Sequence, residues 1–342
     1  MLEEYSAEKQ RPDWDGDVQI AALSGTGSEA LKRELKFWKG LGWNEIRVKA
    51  MRSRAAFKAS DAARLTFVLE RDRRDADKLI DSALLNLDAQ KTGKAWTTPD
   101  GLFFSSGATE KLAVLFPGQG AQYPCMQRDI VCRFPVALDI LSAADKEFGG
   151  EKSLSDFIYP RAVFTPAGRQ LQADELRDTR IAQPALGAAS LGAYRVLSGF
   201  GLSPDAFAGH SYGELTALCA AGVFDAPSLF ALSKLRGSLM ARGEGDRGGM
   251  LAVHAPFADI EKTMKEENLD LIVANKNSPA QFVLSGRTEE INRAAGCFRK
   301  RSIKNIPLQV SAAFHSPLVA GAHKEFSAAL GKVKFNKSQS RV

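Results

Sequence analysis

One stretch of this chain has the residues and spacing of a nucleophilic site. Gly209-His210-Ser211-Tyr212-Gly213-Glu214 fits G-x-S-x-G, in which a strand ends, turns sharply and enters a helix with the serine at the tip. The flanks agree. Asp205 to Ala208 is a short, mostly apolar strand candidate, and Leu215 to Ala221 is rich in helix formers. Gly209 and Gly213 leave room where strand and helix cross. The amides after Ser211 would sit at a helix N-terminus, aimed where an oxyanion could form. A serine nucleophile needs a base. The histidines are His210, His254, His315 and His323. His210 neighbours the serine within the turn, so its ring should point away from the hydroxyl. His254 ends a strand candidate, and His323 lies on an amphipathic helix. His315, in Ala312-Ala313-Phe314-His315-Ser316-Pro317, is the best base.

These residues must be carried by an α/β framework. A buried strand candidate, Lys111 to Phe116, runs into Pro117-Gly118-Gln119-Gly120, where two glycines let backbone amides come close to a reacting centre. Helices are expected over 135–148, 186–197, 227–242 and 317–330, with the stretch Thr179 to Ala185 leading into the second. The break at 243–249 has four glycines. After it the order is strand 250–253, helix 257–266, strands 269–274 and 282–284, helix 289–300 and strand 303–310. That is the ferredoxin-like β-α-β-β-α-β arrangement, inserted into a larger unit. Before position 111, strands at 17–23 and 64–70 and helices at 28–39 and 76–87 make a small α+β unit, with 97–106 as connector. Gly25-Thr26-Gly27-Ser28-Glu29-Ala30 resembles a dinucleotide fingerprint. A tight turn with Ser28 as helix cap accounts for it equally well, since Arg and Lys crowd the place of the next parallel strand.

The 342 residues allow two or three structural units. The net charge of +6 is uneven: Lys32 to Lys78 carry 14 Lys/Arg against 7 Asp/Glu. There Arg71-Asp72-Arg73-Arg74-Asp75 alternates in sign, which reads as a solvated surface rather than a nucleic-acid footprint. No run of 18 apolar residues occurs, and the first ten residues do not form a secretory signal. Cys125, Cys132, Cys219 and Cys297 fit neither a zinc site nor a C-x-x-C pair, and read as reduced, partly buried thiols of a cytoplasmic protein. No metal is expected.

Four separated motifs occur in one order: FPGQGAQ at 116–122, IAQPAL at 181–186, GHSYGE at 209–214 and AFHSPL at 313–318. Together they resemble the malonyl-CoA:acyl-carrier-protein acyltransferases, in particular the acyltransferase domains of type I polyketide and polyunsaturated-fatty-acid synthases. The resemblance covers about residue 111 to the end, and residues ~15–110 resemble, more loosely, the linker between ketosynthase and acyltransferase. It implies linker 1–110, a large α/β-hydrolase-like subdomain over 111–248, a ferredoxin-like small subdomain over 249–311, and a return to the large one over 312–342. It implies Ser211 as nucleophile, His315 as base, and the amides of Gln119 and Tyr212 as oxyanion hole. Gln183 and His210 then belong to the substrate pocket. Arg236, by itself a helix-surface arginine, would hold the extender's free carboxylate through two hydrogen bonds. Phe314 would limit the space beside the α-carbon, as in malonyl-type members, although Ala312 departs from the histidine usual there. The implied substrates are malonyl-CoA and the phosphopantetheine thiol of a carrier protein, with no bound cofactor and a ketosynthase as neighbour. A serine thioesterase or hydrolase also uses G-x-S-x-G, but would need an HGGG-like oxyanion loop that this sequence lacks. A docking module would have no need of Ser211 and His315. Only 27 residues follow His315. Asn336 and Gln339 fall too early to orient its ring, so the large subdomain's core is expected to be unfinished at Val342.

Overall fold

The computed structural model describes residues 16–71, 75–89, 95–107, 110–242, 246, 248–308, 313, 315 and 321–342. Phe314 and Ala312 therefore lie outside the described residues. The chain divides into two compact units, one over Asp13–Lys111 and one built on Leu112–Val342.

In the first unit the elements run β1 (Val18–Gly25), α1 (Ser28–Lys36), α2 (Trp43–Ala56), β2 (Ala63–Glu70), α3 (Ala76–Ala89), β3 (Trp96–Thr97) and β4 (Leu102–Ser106). The sheet order is β1-β2-β4-β3, and every pairing is antiparallel. Because β1 pairs antiparallel with β2, the glycine turn after β1 is no part of a parallel dinucleotide-binding unit. Ser28 is not its helix cap: Gly27 holds that position, without a side-chain cap bond. Helix α2 has weak amphipathicity, which is why its residues carry no helical signal in sequence. The span 97–106, expected as connector, carries β4, whose Leu102 and Phe104 enter a core around Trp38, Phe67 and Ile80.

The second unit opens with β5 (Ala113–Phe116), followed by α4 (Arg128–Arg133), α5 (Pro135–Phe148), α6 (Leu154–Ile158), α7 (Pro166–Arg177) and α8 (Thr179–Gly199). Then come β6 (Ala206–Gly209), α9 (Gly213–Ala220) and α10 (Ala226–Ala241). Strands β5 and β6 pair in parallel, Ala113 to Phe116 against Ala206 to Gly209. Beneath them Phe116, Phe207 and Tyr194 form an aromatic cluster. Helix α8 starts seven residues earlier than its sequence indicates. Asp178 caps it by accepting from the amide of Arg180, and Pro184 sits inside it. A proline argues for a boundary in sequence, yet twelve buried residues, among them Ala182, Gln183 and Leu186, hold this helix in the core.

The small subdomain is β7 (Gly249–His254), α11 (Phe257–Glu266), β8 (Ile272–Ser278), β9 (Gln281–Gly286), α12 (Thr288–Lys300) and β10 (Lys304–Leu308), with sheet order β10-β7-β9-β8. Its strand β7 is apolar from Met250 to Val253 because both faces are buried there. Leu251 and Val253 pack in the core shared with Phe298, while Met250 and Ala252 meet Met240 of α10. Helix α13 (Ala322–Leu330) returns to the large subdomain, placing Phe326 and Leu330 against its core. Beyond α13, Asn336 and Gln339 donate their backbone amides to the carbonyls of Val223 and Ala221, and Arg341 bridges Ala206 in parallel. Those two residues are thus tied to the loop after α9. No helix of the described residues is long and apolar enough to cross a membrane. All four cysteines are free; Cys125 and Cys132 are exposed rather than partly buried, while burial pushes the Cys219 thiol up to about 12.

Candidate active site

Ser211 is the turn between β6 and α9. Its φ of 51° is left-handed, a conformation a serine adopts only when its surroundings impose it. The imposition is steric. A Cβ at Gly209 would stand 2.1 Å from the carbonyl carbon of Gly213, and one at Gly213 would stand 2.3 Å from the carbonyl oxygen of Phe116. Strand and helix can cross this closely only through glycine. The amide of His210 donates to the Phe116 carbonyl (2.9 Å), which carries the β5–β6 ladder into the turn.

The loop after β5 leans on the same turn. A Cβ at Gly118 would lie 2.6 Å from the His210 carbonyl oxygen, so the backbone leading to Gln119 passes directly beside the serine's own loop. Among the described residues, the backbone amides of Gln119 and Tyr212 have no acceptor. Two free amides beside a nucleophile are what an oxyanion hole requires.

Tyr212 contributes more than its amide. Its side chain is buried, and its hydroxyl donates to Oγ of Ser233 (2.6 Å), which in turn donates to the Leu229 carbonyl (2.6 Å). Burial raises the phenol's pKa, so it stays neutral. The residue after the nucleophile thereby anchors the turn to α10. Sequence offered no sign of Ser233, because a lone serine within a helix carries no pattern.

His315 comes from 104 positions away and places Nε2 2.9 Å from Oγ of Ser211. With the ring proton on Nδ1, the serine hydroxyl donates and Nε2 accepts. The imidazole's pKa is lowered, chiefly by burial and further by the Arg236 cation, against which the Glu214 carboxylate acts. At neutral pH the ring is therefore uncharged and able to take a proton. Of the other histidines, His254 and His323 lie elsewhere, on β7 and α13. His210 is exposed and turned from the serine. Its Nε2 meets Oδ1 of Asn277 (3.2 Å) at the end of β8, a contact across the two subdomains.

Arg236, on α10, is not a plain surface residue. It is half-buried, burial lowers its pKa, and Glu214 supplies the nearby negative charge. Its Nη1 donates to Oε1 of Gln183 (2.9 Å), itself 1% exposed. Gln183 also meets the sulfur of Met240 (3.5 Å), a contact without a sequence signature. The structure thus assembles Ser211, His315, Gln119, Tyr212, Gln183 and Arg236, from separate stretches of chain, while the exposed His210 turns to Asn277.

Residues 114–342 match the family described as the acyl transferase domain. A component of the polyunsaturated fatty acid synthase of Thraustochytrium sp. is 32% identical over 290 residues, which is 80% of this chain and 10% of that protein. The malonyl CoA-acyl carrier protein transacylase of Escherichia coli O157:H7 is 33% identical over 232 residues, 66% of this chain and 71% of its own length. Among solved structures, the acyltransferase domain of the iterative polyketide synthase in enediyne biosynthesis superposes with a TM-score of 0.69 at 27% identity. The match covers 95% of this chain and 73% of that one. The large synthases are matched over a small fraction of their length.

Proposed function

The chain belongs to the acyl transferase domain family, and on that footing we propose that it moves a malonyl group from malonyl-CoA to the phosphopantetheine thiol of an acyl carrier protein. The observation that carries this reading is the 2.9 Å contact between Ser211 and His315 at a turn held in a left-handed conformation. In the first half-reaction His315 takes the hydroxyl proton as Ser211 Oγ bonds to the thioester carbon. The amides of Gln119 and Tyr212 hold the oxyanion. The carbon–sulfur bond then breaks, His315 returns the proton to the CoA thiolate, and a malonyl-serine ester remains. In the second, the carrier's thiol gives its proton to His315 and attacks that ester, and Ser211 recovers its hydroxyl. Arg236 binds the free carboxylate of the malonyl group, with Gln183 and Phe314 shaping the pocket and His210 at its rim. No step requires a metal. In this reading the protein works in the cytoplasm beside a ketosynthase, and the first unit would then be the linker between the two.

Intact-mass measurement after incubation with a panel of acyl-CoAs tests the proposal. A stable malonyl adduct on the parent, absent from Ser211→Ala, is expected. Rapid release of free malonate without transfer to a carrier protein would instead mark a hydrolase. An unmodified parent chain would overturn the reading.

A further inference from the structure

Arg236 is the first member of a directed hydrogen-bond chain. Its Nη1 donates to Oε1 of Gln183 (2.9 Å), Nε2 of Gln183 donates to Oε1 of Gln119 (3.4 Å), and Nε2 of Gln119 donates to Oγ1 of Thr179 (3.0 Å). A guanidinium has donors only, so Gln183 must face it with oxygen. The nitrogen of Gln183 must then face Gln119, which answers with oxygen, and the nitrogen of Gln119 is left for Thr179. One cation thus orients both amides, and the chain needs an acceptor at its far end. Thr179 supplies it. Gln183 is 1% exposed and Thr179 0%, so water does not substitute freely.

Thr179 is well placed to be a fixed point. It is the first residue of α8, next to the capping Asp178, and α8 also carries Gln183. Helix α10, which carries Arg236, comes against it so closely that a Cβ at Gly237 would lie 2.5 Å from the Thr179 carbonyl oxygen. The third member, Gln119, belongs by its backbone to the loop proposed as oxyanion hole.

We propose that Thr179 is a positioning residue: its hydroxyl fixes the Gln119 amide, and through Gln183 it holds Arg236 in register with the oxyanion loop. The proposal rests on the acyltransferase reading and adds to it a residue that touches neither substrate. Thr179→Val keeps the shape and removes the acceptor, leaving Gln119 Nε2 only the longer contact to the Arg177 carbonyl (3.5 Å). The Gln119 amide is then free to rotate, the Gln183 nitrogen keeps only the weak Met240 sulfur contact (3.5 Å), and Arg236 samples several orientations. An acetyl group makes no use of Arg236, so the loss falls on malonyl.

The test compares the parent with Thr179→Val and Thr179→Ser in two readouts. The first is the ratio of malonyl to acetyl loading rates, which is independent of the fraction folded. The second is the NMR spectrum of the Gln119 and Gln183 side-chain amides. Thr179→Val should lower the ratio about tenfold and shift both amide signals, and Thr179→Ser, which keeps the hydroxyl, should hold the parent's ratio and signals. An unchanged ratio in Thr179→Val, or an equal fall in Thr179→Ser, overturns the proposal. A parent that loads no malonyl overturns the acyltransferase reading instead. The amide signals then decide for the hydrogen-bond chain: shifted in Thr179→Val they uphold it, unmoved they refute it.

Discussion

At the scale of single residues, charge and burial make two outcomes measurable. His315 has its pKa lowered from 6.5 by burial, with the Arg236 cation adding to the effect. With His315 as the proposed base, the neutral ring is the active form, so activity should be complete above that pKa and lost as pH falls through it. The acid limb of kcat/KM for malonyl-CoA should therefore lie below pH 6.5. Replacing Arg236 by alanine removes that cation and should move the limb upward, toward but not beyond the ordinary imidazole value. A limb at or above 6.5 in the parent contradicts His315 as base. The same variant should lose malonyl loading by ~2–5 kcal/mol of transition-state stabilisation, because a carboxylate entering the pocket finds no partner. Acetyl loading should change little, and an unaltered malonyl-to-acetyl preference counts against the arginine's role. Ser211 and His315 were readable because nucleophile and base must be of particular types. Arg236 was visible only through the family resemblance, since a half-buried cation has the same letter as an exposed one.

At the scale of elements, two predictions concern what lies on each face of a sheet. In the first unit Arg64 on β2 is 7% exposed and donates to Ser105 Oγ and to the carbonyls of Ala59, Asp61 and Gly107. It ties the turn before β2 to the end of β4. Arg64→Ala leaves these acceptors without a donor and should cost about 3 kcal/mol or more. Arg64→Lys should recover only part, because an ammonium lacks the planar fork. A change under ~1 kcal/mol in chemical denaturation would show that water replaces the guanidinium. In the second unit β5 and β6 bury Phe116 and Phe207 but present Leu115, 74% exposed, with Ala208 beside it. Parallel strands ordinarily have both faces covered. Leu115→Lys should leave stability within ~0.5 kcal/mol and reduce concentration-dependent association seen by light scattering. A large destabilisation would mean the leucine is packed in solution. The apolar run Lys111 to Phe116 identified a strand, but periodicity could not tell which of its faces is open.

At the scale of the whole molecule, the chain holds separate cores, one around Trp38, Phe67 and Ile80 and another around Phe207, Leu229 and Phe230. Trp38, Trp43 and Trp96 all lie in the first unit, so tryptophan fluorescence reports on that unit. Leu65→Ala, at a site with no exposure, should destabilise the fluorescence-detected transition by ~2–5 kcal/mol. The proposed malonyl adduct at Ser211 forms in the second unit, and its formation should keep its parent rate at temperatures where both units are folded. Loss of adduct without loss of fold would show that the first unit acts on the site.

Whatever local covalent pattern dictates was already legible in the order of residues. The G-x-S-x-G turn follows from its glycines, the small subdomain from its alternation of strand and helix periods, and the candidate nucleophile and base from chemistry few side chains can perform. The family followed because four short motifs recur in one order. How distant segments meet was settled by tertiary packing alone. Helix α8 begins at Thr179 in spite of Pro184, because burial of one whole face outweighs a local breaker. The Tyr212–Ser233 anchor and the chain from Arg236 to Thr179 join residues 21 to 64 positions apart. A hydrogen bond between distant side chains leaves no periodicity in sequence. It exists only once two helices and a loop have been packed against one another.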